Sequence, residues 1–294
     1  MSRSVVQRRK PARVEVPDAA GRWLATLTEG AYTATLAGPV RTFAEPAVAA
    51  TVTHSTWVRT LPAPFDGKVD ETWLECALRA SEHGIPDVLA IAMQYIERAP
   101  ALVAEGSIFA GMADYGPWRD GAREEGADFN DYLGVTWTYP GKVDKPEKRQ
   151  WQCLDCSGFM RIVWGYRHHL SGAGYTDTVP LCLEPRADRS AIPRRAFQMY
   201  EAAPGVLVVP DSGAQVADFS PLGVGDLVFF DADESDGTQS DHLGMYLGLD
   251  AGKHHRFISS RKGANGPTFG DYKGKSILDG TGLYARSFRA IRRL

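Results

Sequence analysis

Cysteine is scarce in this sequence. Cys76, Cys153, Cys156 and Cys182 are the only 4 thiols in 294 residues, too few for a disulfide scaffold, and their irregular spacing leaves at least some of them free. Long apolar runs are lacking as well. The longest, around Val88–Ile96, is about half the ~20 residues a membrane-crossing helix needs, so no transmembrane segment is expected. There is no basic excess: 33 Lys and Arg against 36 Asp and Glu leave a net charge of −3, which argues against a general nucleic-acid binder. Arg3, Arg8, Arg9, Lys10 and Arg13 crowd the start, but Pro11, Glu15 and Asp18 stand where a secretory signal would place its apolar region. That basic run reads as a solvated tail, with an arm for anionic surfaces as the sharper alternative. No internal repeat and no low-complexity tract is present. The composition that remains, 44% apolar and 23% charged, can bury a sizeable core in one large domain or two modest ones.

The pattern divides the chain into a tail over 1–20, a small antiparallel β unit over 21–62, a helical segment over 63–110 and a larger domain over 111–294. In the β unit, Trp23–Thr28, Tyr32–Leu36 and Thr51–Val58 are rich in threonine, valine and aromatics and are punctuated by Gly30, Gly38-Pro39 and Pro46. Helical spacing follows over Asp70–His83, which Asp70 can cap, and over Pro86–Glu97. Cys76 lies beside the first of these stripes and reads as an inert core thiol. Residues 105–150 show poor periodicity, with a short helix expected near Glu124–Leu133. In the second half, Cys156–Arg167 and Pro193–Ala203 read as helices. Asp226–Phe230 is an apolar run suited to a strand covered on both faces, and Arg256–Ser260 is a further strand. His242–Gly248 alternates, with Leu243, Met245 and Leu247 on one side and His242, Gly244 and Tyr246 on the other. Helices followed by antiparallel strands with short connections predict an α+β fold.

Chemistry concentrates at Asp155-Cys156-Ser157-Gly158, which opens an amphipathic helix. A thiol in the first turn meets unpaired N–H groups and the positive end of the macrodipole, both of which favour thiolate. Gly158 removes a side chain nearby, so another backbone or a substrate can approach. Asp155 can cap the helix, but its charge opposes the thiolate, so a cationic partner is needed. His242 is the candidate, with Gly244 leaving space on its face. A Cys–His pair of this kind would supply a nucleophile and its general base.

These residues resemble a known family. Leu154-Asp155-Cys156-Ser157-Gly158-Phe159 is similar to the nucleophile motif of the NlpC family of papain-like cysteine endopeptidases. Gly225–Phe230 resembles the family's strand before the histidine, and Asp241–Gly248 its histidine strand. Ile192-Pro193-Arg194-Arg195 and the final Phe288–Arg293 also fit, so the ordered blocks span about residues 130–294. The resemblance implies a papain-like catalytic domain, its helix bearing the cysteine packed on an antiparallel sheet. It implies cleavage of bacterial cell-wall peptides, usually between D-γ-glutamate and a diamino acid, with peptidoglycan or its peptide fragments as partner and no metal or organic cofactor. Carried over by position, Cys156 is the nucleophile and His242 the base. The N–H of Cys156 helps bind the oxyanion, and Asp155, Ser157 and Trp137 fall at oxyanion or substrate positions. The family's third polar residue falls at Ser259, with His255 as the alternative on the same strand face and His254 behind it. Trp137 stands where the family has a tyrosine, and Tyr139 is nearby.

Other readings compete. An amidase or acyltransferase uses the same pair, and a wall-binding protein with a decayed site would retain the fold. Cys153-x-x-Cys156 matches a redox motif but lacks a βαβ context, and a zinc site would need Cys182 and a histidine brought close. Residues 231–237 resemble a calcium loop with its glycine one place late. They read as a solvated acidic loop, or as a rim selecting cationic substrates. The implied substrate places the protein in the cell envelope or outside the cell. The lack of a visible export signal leaves a shortened chain, another route, or recycling of wall peptides in the cytoplasm open.

Overall fold

A computed structural model of the chain describes residues 5–45, 50–104, 106–166, 178–233, 235 and 237–294. Its first sheet joins β1 (Val6–Arg8), β2 (Arg13–Pro17), β3 (Trp23–Thr28), β4 (Thr33–Glu45) and β5 (Ala50–Thr60) in sequence order, antiparallel throughout. Alternation builds its core. Val14 and Val16, Ala25 and Leu27, and Ala34 and Leu36 turn to one side and meet Trp57, Leu61 and Phe65. Residues 1–20, expected to be a tail, thus contribute two strands. The short period of Arg13-Val14-Glu15-Val16 is obscured in the sequence by the surrounding basic residues, yet both valines are fully buried.

α1 (Glu71–Glu82) packs on β4 and is capped by Asp70, whose carboxylate accepts the Trp73 N–H at 3.0 Å. α2 (Val88–Ala92) is shorter than the helical spacing predicts and closes in a 3-10 turn over Met93–Tyr95. The Tyr95 carbonyl accepts from the Ala113 N–H at 3.1 Å instead of continuing the helix. A hairpin of β6 (Leu102–Ala104) and β7 (Ser107–Ala110) follows within the segment expected to be helical. β8 (Trp118–Arg119) and β9 (Ala122–Arg123) form a second hairpin, α3 (Phe129–Leu133) a single capped turn, and β10 (Trp137–Tyr139) and β11 (Lys142–Asp144) a third hairpin.

The second half holds α4 (Cys156–Gly165), α5 (Ala196–Ala202), β12 (Val206–Val209), β13 (Leu227–Phe230), β14 (His242–Leu249), β15 (His255–Arg261), β16 (Gly266–Thr268), α6 (Leu283–Ser287) and β17 (Phe288–Arg293). The strands form a six-stranded antiparallel sheet ordered β12-β17-β13-β14-β15-β16, so the last strand of the chain lies inside the sheet. Leu227 and Phe229 of β13 face the core that contains α4's Phe159, Met160, Ile162 and Val163. Val228 and Phe230 face the opposite core, with Tyr246, Phe257, Tyr284 and Phe288. Burial on both faces explains why this strand is continuously apolar.

The molecule is therefore mixed α and β, with antiparallel sheets. Its two larger sheets are tied together. Thr33 donates to the Leu294 carbonyl through both N–H and hydroxyl, Arg293 bridges Asp226 and Thr28, and the Glu45 carboxylate accepts from Thr268 Oγ1 at 2.7 Å and Phe269 N–H at 2.8 Å. No helix among the described residues is long and apolar enough to cross a membrane.

Candidate active site

Cys156 is the first residue of α4, and Asp155 is its N-cap. The Asp155 carboxylate accepts from Gly158 N–H at 2.7 Å, from Ser157 Oγ at 2.9 Å and from Gly126 N–H at 3.2 Å. Arg194 closes the cluster: one arm reaches Asp155 at 2.8 Å and the Gly126 carbonyl at 2.7 Å, the other Ser157 Oγ at 2.6 Å. Its Nε lies 3.5 Å from Asp128, which is itself held by Arg161 at 3.0 Å. Asp155 and Ser157 border the thiol, but their polar atoms are committed to this cluster. Gly158 is needed for close approach of backbone. A Cβ there would stand 2.3 Å from the Ala127 carbonyl, the same carbonyl that accepts the Asp155 N–H.

His242 opens β14, and its Nε2 lies 3.2 Å from Ser259 Oγ on β15. With Nε2–H donating to that hydroxyl, Nδ1 is left as the basic nitrogen. Gly244 makes the pairing fit: a Cβ there would lie 2.6 Å from the Ile258 carbonyl and 3.1 Å from the Ser259 Cβ. Phe230 and Tyr284 flank the imidazole, with ring centroids at 5.8 and 5.2 Å. His255, the alternative third residue, is not brought to this place. It starts β15 opposite Leu249, bonds Tyr246 Oη at 2.8 Å and stacks on Phe219. His254 pairs with Asp279 in the open. His255 lies four positions from Ser259 along the extended strand and His254 five, and the period of two that put His255 on the same face says nothing about that distance.

Cys156 and His242 line one cleft of about 490 Å³, together with Tyr115, Glu125, Asp233, Asp241, Lys262 and Tyr284 among others. Trp137 is not part of it. Its ring packs edge-on against Phe129 and Tyr166, behind α3, which corrects the expectation that it stands at the substrate. Tyr139, too, is turned away and accepts from Arg161. The tyrosines that line the cleft with the thiol are Tyr284 and Tyr115, the latter from a loop tied to Cys153 and Leu154 through Asp114. Sequence reasoning missed Tyr115 because its Gly- and Asp-rich surroundings have no period. The described part of the acidic loop reaches the cleft through Ala232 and Asp233, held by Asp241, which accepts both of their N–H groups. All four cysteines are free, and among the described residues no group of three or more His, Cys, Asp and Glu could hold a metal ion. Among the described residues the zinc reading thus gains no geometric support, and the calcium-like stretch lies partly outside them, at residues 234 and 236.

Electrostatics leave the pair uncharged at rest. Burial and the neighbouring Asp155 push the Cys156 thiol well above its ordinary range; the Leu243 N–H and Arg194 pull the other way without prevailing. Burial, then the Arg261 charge, pushes His242 down to about 3 from 6.5. Burial also works against the Asp155 carboxylate, but Arg194 and the hydrogen bonds overcome it, so this group stays below the usual range. The His242 shift has a consequence for stability. The folded ring refuses a proton that the unfolded chain takes up between about pH 6.5 and pH 3, so its contribution is intact above pH 6.5 and is lost as pH falls through that window. Between pH 7 and pH 5 the native protein should lose about 2 kcal/mol more stability than His242→Gln, measured by urea unfolding at both pH values. Equal losses would place a solvated, ordinary histidine here.

No family model matches the chain, and no curated protein matches it.

Proposed function

We propose that the chain is a papain-like cysteine endopeptidase that hydrolyses amide bonds in peptidoglycan stem peptides, at the bond between a γ-linked D-glutamate and a diamino acid. One observation carries this reading: a thiol at the first turn of a helix and a histidine tethered through Nε2 line the same cleft. The likeness of residues 154–159 and 241–248 to the NlpC family supplies the substrate class.

Because both partners rest neutral, the thiol proton passes to His242 Nδ1 as Sγ attacks the carbonyl carbon, and no isolated charge is left in the buried pair. The oxyanion that forms is stabilised by the Cys156 N–H, one of the unpaired donors at the start of α4. Collapse expels the amine, which takes the proton from the imidazolium, and leaves a thioester on Cys156. Water then attacks the thioester with His242 as base, releasing the acid and restoring the thiol. Ser259 keeps the ring turned. Ser259→Ala should lower kcat on the order of 10-fold with KM unchanged, and His255→Ala should leave both constants alone. The opposite ranking would return the third position to His255.

Mass spectrometry of stem peptides incubated with the protein tests the reaction. Fragments that together hold one added water, with a new carboxyl on the γ-linked glutamate, support it. Fragments joined to an added amine instead identify an acyltransferase, and intact peptide identifies a wall-binding protein without turnover.

A further inference from the structure

The basic run near the start of the chain folds into β1 and β2 and borders a groove of about 390 Å³ between the first sheet and residues 220–223. That volume lies within the range of small-molecule sites, about 300–1,000 Å³. Arg9, Lys10, Arg13 and Arg293 line the groove, and Glu15 is the one carboxylate among its lining residues. Arg293 is nine-tenths buried and already balanced, since Asp226 accepts two of its hydrogen bonds at 2.7 and 2.8 Å. The other cations are not balanced. Arg8 and Arg13 both lean on Glu15, at 3.0 and 3.3 Å. Arg9 and Lys10 are exposed and have no ion pair among the described residues. This excess of positive charge stands in a chain whose net charge is −3.

Two features of the hairpin oppose its own stability. Arg8 and Arg13 stand directly opposite each other across the strand pair, and like charges in that register repel. Lys10 holds a left-handed φ of 68°, which glycine adopts at less cost. β1 is an edge strand, and charge guards such edges against pairing with other chains, but that role is served by either sign. Cations of one sign, kept over a groove where neutral residues would fold better, are accounted for by an anion that they bind.

We infer that the groove is a binding site for a phosphate monoester, carried on a soluble molecule or on the headgroups of an anionic lipid surface. A phosphoryl group brings more charge and more acceptor oxygens than a carboxylate, enough to engage several cations at once. Thr35 adds a neutral donor. It lies in register with Glu15 through Thr26, and its hydroxyl has no partner among the described residues. The inference stands apart from the peptidase reading, because groove and cleft share no lining residue.

Calorimetric titration of the full chain with inorganic phosphate at low ionic strength tests this. Saturable binding of one phosphate per chain is expected. Lys10→Gln should weaken it roughly 10-fold. Arg22→Gln removes the same charge from an exposed pair with Asp18 outside the groove and should leave binding unchanged. Lys10→Gly should weaken it as much as Lys10→Gln while unfolding at no lower temperature, so the loss cannot be traced to a damaged turn. Sedimentation with phosphatidylcholine vesicles, with and without phosphatidic acid, separates the two sources. Phosphate binding without sedimentation assigns a soluble ester. Sedimentation that needs phosphatidic acid, and that Lys10→Gln weakens but Arg22→Gln does not, assigns headgroups. Absence of both, or equal weakening by Lys10→Gln and Arg22→Gln, reduces the groove to general surface charge and overturns the inference.

Discussion

Replacing Cys156 by alanine should reduce kcat/KM on stem peptides by roughly 10⁴-fold or more, to the background of the assay. The fold should survive. The side chain is small, it borders the cleft, and α4 is anchored by Asp155 and by the apolar face that contains Phe159 and Val163 rather than by the sulfur. Near-identical thermal unfolding of the two proteins would show this. His242→Gln should cost a comparable factor, and the double variant should be little worse than either single one, because nucleophile and base act as a unit. Undiminished turnover in Cys156→Ala would remove the thiol from the reaction and with it the proposed function.

The largest effect on stability is expected at Arg194. Its guanidinium and the Asp155 carboxylate are both largely out of water, with side chains 11% and 6% exposed. Arg194→Met should destabilise the protein by about 3–5 kcal/mol, because it leaves a buried carboxylate with its main cation gone. Denaturant unfolding at pH 7 measures this. The companion variant Asp155→Asn with Arg194→Met should recover part of the loss, since the amide carries no charge to bury and can still accept from the Gly158 N–H. A loss below about 1 kcal/mol in the single variant would mean that solvent screens the pair as it screens surface ion pairs. The cluster also bears on the thiol. Asp155 is required as the cap of α4, yet its charge raises the thiol proton affinity; Arg194 offsets that charge from the far side. The cationic partner called for beside Cys156 is thus in part an arginine, because His242 is held neutral by burial.

Much of the second half was legible from local pattern. The apolar stripe following Cys156 is a helix, and the apolar run before Phe230 is a strand buried on both faces. The alternation beginning at His242 is a strand whose neighbours are antiparallel. Illegible parts share a physical reason. β1 and β2 are short, and β2 is stabilised by its ladder with β3 rather than by its own propensity. The end of α2 is set by a carbonyl that a residue eighteen positions later claims, Tyr95 by Ala113. Trp137 lies away from the place expected of it, and Tyr115 lines the cleft unforeseen, because loops carry no period from which a direction could be read.

What the amino-acid order determined by itself is everything that depends on neighbours: where helices and strands run, that Asp155 can cap the helix that Cys156 opens, and that His242 and Gly244 share one side of a strand. Only the tertiary structure decided which distant groups meet. It put Ser259 rather than His255 behind the imidazole, Tyr115 rather than Trp137 in the cleft of the thiol, and Arg194 against Asp155. The reason is that capping and periodicity are short-range effects written over a few residues. Burial of a charge, or its release to a ligand, depends on which surfaces pack together, and that is settled by the register of strands far apart in the chain.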